Sequence, residues 1–263
     1  MTTKKKEQPK RPVTKKRTVK EKTPSKKKRV PSEKNIIVEN IHKSFRDGGE
    51  TVNVLKGITM DVGANELIMI VGPSGCGKTT LVSIIAGTLH YDEGSVDVLN
   101  HNLHSLTEEE ITAFRANNIG FLFQKFNLMR TLTCAENVAL PLLIKKISHE
   151  EAHEKAVEAL EQVGQADKAH RFPNELSGGQ QQLVAIARAI VHKPNIVICD
   201  EPTSALDHEN GLRVMKIMEK LVAYPGRSVI VVTHDHRIFQ FANRIVSIED
   251  GTVHSVRGPE EKK

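Results

Sequence analysis

The sequence predicts an α/β fold in which helices pack against a central, mainly parallel sheet. Three short segments are almost wholly apolar, as strands buried on both faces of a sheet are: 67–71, 196–199 and 228–232. A glycine-rich loop, 72–79, directly follows the first of them. Apolar residues then recur at helical spacing, which completes a strand–loop–helix unit.

The remaining elements follow in order along the chain. Alternation over 52–62 is typical of an antiparallel strand pair. Further short apolar segments predict strands at 36–38, 95–99, 119–123 and 245–248. Between about 127 and 191 the pattern becomes helical, with helices predicted over 135–144, 150–162 and 180–191. No internal repeat interrupts this order.

The glycine-rich loop fits the phosphate-binding pattern G-x-x-x-x-G-K-[ST]. Its glycines allow successive backbone N–H groups to wrap around phosphate oxygens. Lys78 adds a positive charge near the terminal phosphates, and the Thr79 hydroxyl is suited to Mg²⁺. By itself the loop predicts only an NTPase, whose nucleotide site would be made by Gly72, Pro73, Ser74, Gly75, Cys76, Gly77, Lys78, Thr79 and Thr80.

A second motif narrows the class of protein. Leu-Ser-Gly-Gly-Gln at 176–180 precedes a helical pattern, and an apolar run downstream ends in Asp200-Glu201. Together with the phosphate loop, this order resembles the ABC ATPases, and the chain looks like the ATP-binding subunit of an ABC transporter. The resemblance covers roughly residues 35 to 255. It implies a P-loop NTPase core with an antiparallel β subdomain and an inserted helical subdomain at about 125–191.

The resemblance assigns the hydrolytic chemistry to named residues. Glu201 would polarise the attacking water, His234 would sense the γ-phosphate, and Gln124 would reach the metal and that water. Mg²⁺ would be held by Thr79, Gln124 and Asp200. Intact Glu201 and His234 argue against a regulatory relative that binds ATP without hydrolysing it.

Two further residues, Phe45 and Asp207, match positions of the family pattern. Phe45 stands where the family places the aromatic residue that stacks on adenine, although a single Phe near a strand end is more often core or rim. Asp207 closes the segment that resembles the D-loop. Cys76 lies at a helix start, which favours oxidation of a thiol, although a small tolerated side chain is the simpler interpretation.

The single phosphate loop and single signature motif imply a homodimer. In the family each ATP lies between the phosphate loop of one domain and the signature loop of another, so two chains would pair head to tail. Ser177, Gly178, Gly179 and Gln180 would then act in trans at a helix N-terminus. The helices after Gln124, the glutamine of the family's Q-loop, would transmit the opening and closing of the dimer to a separate transmembrane permease. In an exporter, a periplasmic adaptor would accompany the permease.

Within the family, the stretches 118–143 and 175–189 look most like the lipoprotein-release and macrolide-export branch, including DevA-type exporters. Leu183 departs from the pattern, because most relatives carry Arg there. The branch implies export or membrane extraction of a lipid, lipoprotein or hydrophobic compound. Import is the alternative, because the ATP site barely differs between the two directions. A soluble ABC ATPase acting on nucleic acid is a weaker alternative, since such relatives usually carry two such domains or a long coiled coil.

Residues 1–34 differ from the folded region, predicted as 35–263. They hold 15 Lys or Arg and three Glu, with four prolines and few apolar residues. Such a segment cannot bury enough surface to offset its ordering entropy, so we predict a disordered basic tail. A solvated tail without a partner, contact with anionic lipid and contact with nucleic acid all remain open.

Composition sets the compartment that we expect. Three cysteines, scattered over a phosphate loop, a helix and a strand, do not suit a disulfide framework and fit a reducing cytosol. No apolar run approaches the roughly 20 residues needed to span a bilayer. We therefore expect a peripheral subunit at the cytoplasmic face of the inner membrane.

Overall fold

The computed structural model describes residues 1–2, 34–204 and 206–258. The predicted basic tail lies almost wholly outside the described residues, and its character stays a prediction. In the described part of the chain, the strands are β1 (Lys34–Asp47), β2 (Glu50–Gly63), β3 (Leu67–Val71), β4 (Glu93–Val98), β5 (His101–Asn102), β6 (Ile119–Leu122), β7 (Ile196–Asp200), β8 (Ser228–Val232), β9 (Arg244–Glu249) and β10 (Thr252–Arg257).

Six α-helices accompany these strands within the same described ranges: α1 (Lys78–Ile85), α2 (Glu108–Asn118), α3 (Cys134–Ile144), α4 (His149–Gln162), α5 (Gly178–Ile190) and α6 (His208–Val222). Short 3₁₀ turns lie at Leu103–Ser105, Ala166–Lys168, Pro173–Glu175 and His236–Phe241. The α/β class is therefore confirmed.

The larger sheet has the order β10-β9-β3-β8-β7-β6, and only β10 runs antiparallel to its neighbour. Every residue of β3 is buried, because successive side chains enter different cores. Ile68 and Ile70 pack into the core that includes α1, whereas Met69 packs into the core that includes the helices α3–α6. Burial on both faces explains why these strands are continuous apolar runs.

The smaller sheet is antiparallel, in the order β2-β1-β4-β5. The segment 52–62 is not itself a strand pair but belongs to the single strand β2, whose partner is β1. The strand predicted at 36–38 extends over 14 residues. Alternation in this part reflects one half-exposed strand, since β2 has one face against the core and the other in solvent.

The predicted helical region contains α3, α4 and α5, whose buried faces form one core with Leu183 among its members. Helices α2 and α6 were not predicted from the sequence. Helix α2 begins with a capping box, in which Glu110 N–H donates to the Thr107 hydroxyl and Thr107 N–H donates to the Glu110 carboxylate. The parallel strands β3, β6, β7 and β8 end at one edge, where the loops that carry the predicted site begin.

Candidate nucleotide-binding and hydrolytic site

The phosphate loop needs glycine at two positions because backbone and side chains approach them closely. Gly72 has φ 152°, and a Cβ there would lie 2.1 Å from the Ile248 carbonyl oxygen. Gly77 caps α1 at φ 100°, and a Cβ there would lie 2.6 Å from Leu55. Both contacts are too short for any side chain, so the loop backbone stays bare toward a ligand.

Lys78 is the first residue of α1, and its side chain is folded back into the loop. Its Nζ donates to the carbonyl oxygens of Gly72 at 2.8 Å and Pro73 at 2.7 Å. These bonds hold an ammonium group at the mouth of the loop, beside the buried Cys76 thiol at 3.7 Å. A positive charge in this position, together with a helix N-terminus, suits phosphate oxygens.

Thr79 and Asp200, 121 residues apart in sequence, meet at the carboxyl edge of the sheet. The Thr79 hydroxyl donates to Asp200 Oδ2 at 3.0 Å. Burial raises the pKa of the Asp200 carboxyl, and the hydrogen bond from Thr79 opposes that rise. A hydroxyl and a buried carboxylate are hard oxygen ligands, so this pair fits Mg²⁺. Among the described residues no Lys or Arg pairs with this carboxylate at bonding distance, although the charge of Lys78 also opposes the rise in its pKa.

Glu201 and His234 form the second pair. Glu201 Oε1 lies 2.7 Å from His234 Nδ1, and the carboxylate can only accept, so Nδ1 carries the hydrogen. Glu201 adopts φ 52°, and its N–H donates to the Val232 carbonyl at 2.9 Å. Its other oxygen, Oε2, is buried and accepts no hydrogen bond from the described residues.

The Gln124 side chain is exposed just after β6 and makes no hydrogen bond to the described residues. Arg188 of α5 anchors the segment that follows, donating to the carbonyl oxygens of Phe126 and Asn127 at 2.7 Å each. Gln124 thus follows β6 at the carboxyl edge of the sheet, and within the described chain no hydrogen bond joins it to Asp200 or Thr79. Arg188 was missed in the sequence, because one arginine in a helix carries no pattern.

Phe45 lies on β1 with 41% of its surface exposed. The Lys43 ammonium lies 5.4 Å from its ring centroid. Asp92 ties this segment to the loop before β4, accepting from Lys43 Nζ at 2.8 Å and from the Ser44 N–H at 2.6 Å. The hydrogen bonds from Lys43 and Ser44 lower the pKa of Asp92 to about 2. An exposed aromatic face on a fixed strand is available for stacking on a base.

The signature residues make their hydrogen bonds within their own segment. The Ser177 hydroxyl accepts from the Gln180 N–H at 3.3 Å, and Gln180 Oε1 accepts from the Ser177 N–H at 3.0 Å. This capping box opens α5 and leaves Gly178 in open space. Within the described chain, no hydrogen bond joins this block to Lys78 or its loop.

Asp207 has a structural task in this chain. Its carboxylate caps α6, accepting from the Asn210 N–H at 2.9 Å and from Asn210 Nδ2 at 2.8 Å. These bonds lower the pKa of Asp207. The cap fixes where α6 begins, immediately after the segment that resembles the D-loop.

Two structural observations bear on the expected setting. The three cysteines are buried and free, and burial raises the pKa of the Cys199 thiol to about 12. Among the residues described, none of the helices has the length and apolar content required to cross a bilayer.

The chain resembles known proteins over most of its length. Residues 55–204 match the model of the family described as ABC transporter. The chain is 41% identical over 222 residues to the uncharacterized ABC transporter ATP-binding protein MJ0796 of Methanocaldococcus jannaschii, covering 83% of this chain and 94% of that one. A dimeric structure of MJ0796, bound to ADP and Pi after hydrolysis, matches with a TM-score of 0.81 and 38% identity, over 86% of this chain and 100% of that one.

Two relatives have more specific names. The lipoprotein-releasing system ATP-binding protein LolD of Pseudoalteromonas translucida is 40% identical over 216 residues, which are 82% of this chain and 93% of LolD. The macrolide export ATP-binding/permease protein MacB of Mannheimia succiniciproducens is 40% identical over 220 residues, which are 83% of this chain but 34% of MacB.

The chain belongs to the ABC transporter family, as an ATP-binding ATPase subunit with the P-loop NTPase fold and a helical subdomain. The predicted resemblance to the lipoprotein-release and macrolide-export branch is confirmed. The narrower likeness to DevA-type exporters stays a prediction.

Proposed function

We propose that this subunit powers export, or extraction from the membrane, of a lipid, lipoprotein or hydrophobic compound through a separate transmembrane subunit at the cytoplasmic face of the inner membrane. The observation that carries the hydrolytic part is the arrangement of two pairs, Thr79–Asp200 and Glu201–His234, at the carboxyl edge of one sheet. The direction of transport is supported by the relatives named for lipoprotein release and macrolide export.

Binding of ATP uses the phosphate loop and its flanking residues. Lys78 exchanges its carbonyl partners for phosphate oxygens, and Phe45 offers its exposed ring to the adenine. Thr79, Asp200 and Gln124 would hold Mg²⁺. Bound Mg²⁺ would neutralise part of the charge that phosphoryl transfer develops.

Hydrolysis depends on Glu201. In this proposal the Glu201 carboxylate turns toward the nucleotide and accepts a hydrogen bond from the attacking water, next to His234, whose Nδ1 lies 2.7 Å from Oε1 in the structure. The water oxygen forms a bond to the γ-phosphorus as its proton passes to the Glu201 carboxylate, and the bond to the bridging oxygen breaks, leaving ADP with that electron pair. His234 is largely exposed, so its imidazole can also reach the γ-phosphate.

A second copy completes each site. Ser177 and Gly178 open α5 toward solvent, and the Ser177 hydroxyl, which accepts one internal hydrogen bond, can still donate to a phosphate oxygen. The dimeric state of the MJ0796 structure supports a homodimer here. ATP then joins two copies, and hydrolysis releases them.

The transmembrane partner would be engaged beside the segment after Gln124. A cavity of about 240 Å³ lies beside Asn127 and α3. Phe121, Phe123, Pro141 and Ile144 line this cavity. A permease helix seated here would sense the movement of Gln124, because Arg188 lines the same cavity and binds the carbonyls of 126 and 127. A periplasmic adaptor belongs to the same proposal.

The test is the variant Glu201→Gln, examined in two assays. In gel filtration with ATP, the variant should run as a dimer. In a phosphate-release assay it should hydrolyse no ATP, since the amide can bind the water but cannot accept its proton. A variant that remains monomeric and hydrolyses ATP at the wild-type rate would refute the assignment.

The direction of transport is tested with the permease encoded by a gene next to that of this subunit. The permease is reconstituted in vesicles with the ATPase subunit on the outside. ATP should drive a fluorescent lipoprotein or macrolide into the lumen with wild-type subunit and not with Glu201→Gln. ATP-driven movement out of the lumen would instead show import.

A further inference from the structure

A hydrogen bond joins the two segments that carry Glu201 and His234. The Thr203 hydroxyl donates to Asp235 Oδ2 at 3.3 Å. Thr203 lies two residues after Glu201, and Asp235 follows His234 directly. Thr203 is 2% exposed, so this bond forms beneath the surface and next to the proposed hydrolytic pair.

The Asp235 carboxylate is fixed by Arg237. Arg237 Nε donates to Oδ1 and Nη2 to Oδ2, both at 2.8 Å, and the Arg237 N–H adds a bond to Oδ1 at 3.0 Å. This bidentate pairing leaves the carboxylate one orientation, with Oδ2 toward Thr203. The hydrogen bonds from Arg237 also lower the pKa of Asp235, so the carboxylate stays ionised at neutral pH.

The two catalytic segments need such support because both have just left the sheet. Glu201 stands in a left-handed backbone conformation that a non-glycine residue adopts at a cost. The Ser204 hydroxyl holds its carbonyl at 3.0 Å, and Val232 holds its N–H. On the other side, the Asp235 N–H donates to the Thr233 hydroxyl at 3.0 Å. The Thr203–Asp235 bond connects these two locally fixed segments.

We propose that Asp235, oriented by Arg237 and bonded to Thr203, is a positioning residue that holds Glu201 and His234 in register for hydrolysis. The inference rests on the proposed roles of that pair. Asp235 touches neither the water nor the phosphate in this scheme. It acts by fixing the separation of the two side chains, and small displacements of catalytic groups are costly.

The first test removes the hydroxyl with Thr203→Val and restores it with Thr203→Ser. We expect kcat for ATP hydrolysis to fall about tenfold in the valine variant, with KM for ATP within about twofold of wild type. The serine variant should recover most of the rate. Thr88→Val is the control, because it removes one hydroxyl bond, to the Ser83 carbonyl at 2.9 Å, after the C-terminal end of α1.

The second test asks whether the three residues act as one unit. Asp235→Asn and Arg237→Gln should each lower kcat in the same way. Arg237→Lys should keep only part of the wild-type kcat, because lysine cannot make the bidentate pairing. The double variant Thr203→Val with Asp235→Asn should lose no more rate than the larger single loss. Additive losses in this cycle would overturn the link.

The Glu201→Gln variant separates the two possible failures. Adding Thr203→Val to it should leave ATP-dependent dimerisation unchanged, because the link serves the chemical step. If Glu201→Gln hydrolyses ATP normally, the proposed hydrolytic role of Glu201 is wrong. If that variant is inactive while Thr203→Val and Asp235→Asn hydrolyse at the wild-type kcat, only the positioning role is wrong. Equal rises in KM without loss of kcat would also overturn it.

Discussion

His192 provides a pH dependence of stability that can be worked out from its surroundings. It follows α5, and its Nε2 donates to the Ile119 carbonyl at 3.1 Å, while Nδ1 is buried without a hydrogen bond from the described residues. Burial lowers the pKa of His192 to about 4, and the positive charges of Lys145 and Arg227 act in the same direction. The hydrogen bond to Ile119 opposes them.

The direction of this pH dependence follows from the number of protons that the folded and unfolded chains bind. Between pH 4 and the ordinary histidine value of about 6.5, the unfolded chain binds a proton that the folded chain excludes, so stability rises with pH across this window. A shift of about 2.5 pH units corresponds to about 3 kcal/mol in total. Lowering the pH from 7.5 to 5.0 should remove about 2 kcal/mol of it.

Urea unfolding at several pH values between 4.5 and 7.5 would measure this contribution. His192→Gln keeps a donor for the Ile119 carbonyl and removes the titrating group. Between pH 7.5 and 5.0 its free energy of unfolding should therefore fall by about 2 kcal/mol less than that of the wild type. His149→Gln, at an exposed position, should follow the wild-type curve. Parallel curves for His192→Gln and wild type would refute the reasoning.

Three further outcomes test other parts of the molecule. Lys78→Ala should weaken ATP binding at least about tenfold in calorimetry, because it removes a charged donor to phosphate, and Lys155→Ala should not. Asn137→Ala should lower the free energy of unfolding by about 3 kcal/mol in urea, since the buried amide bonds Met129 and the carbonyls of residues 132 and 133, whereas Asn117→Ala should cost under about 1 kcal/mol. Deleting residues 1–33 should leave ATPase activity unchanged but abolish co-sedimentation with anionic vesicles, because it removes the basic residues. The vesicle assay is done at low salt, because attraction is screened beyond about 8 Å at physiological salt. Equal sedimentation of both forms would exclude a lipid role for the tail.

The parallel strands could be predicted from the sequence because burial on both faces leaves no ambiguity in the pattern. Strands β3, β7 and β8 are apolar throughout and lie where the sequence predicts them. Helix α2 was missed because its apolar residues are few among many polar ones. Helix α6 was missed although seven of its 15 residues are apolar and recur at helical spacing. Their starts were nevertheless readable, in the Thr107–Glu110 capping box and in the Asp207 cap.

The site was predictable to the extent that its residues belong to continuous motifs. Thr79 and Asp200 meet because β3 and β7 are parallel and flank β8, so their carboxyl ends share one edge. The link from Arg237 through Asp235 to Thr203 was not predictable, because a single ion pair between neighbouring residues has no distinguishing spacing. Only the folded chain shows that Asp235 faces the segment after Glu201.

The left-handed backbone at Glu201 explains how two adjacent carboxylates serve different partners. In a continuing strand, the side chains of Asp200 and Glu201 would point to opposite faces of the sheet. Instead the chain turns at Glu201, with φ 52°, so that Asp200 meets Thr79 while Glu201 meets His234 on the neighbouring segment. The turn costs about 1 kcal/mol for a residue with a Cβ. The bonds from the Glu201 N–H to the Val232 carbonyl and from Ser204 to the Glu201 carbonyl offset that cost. The turn therefore keeps both carboxylates at the carboxyl edge of the sheet, one beside Thr79 and the other beside His234.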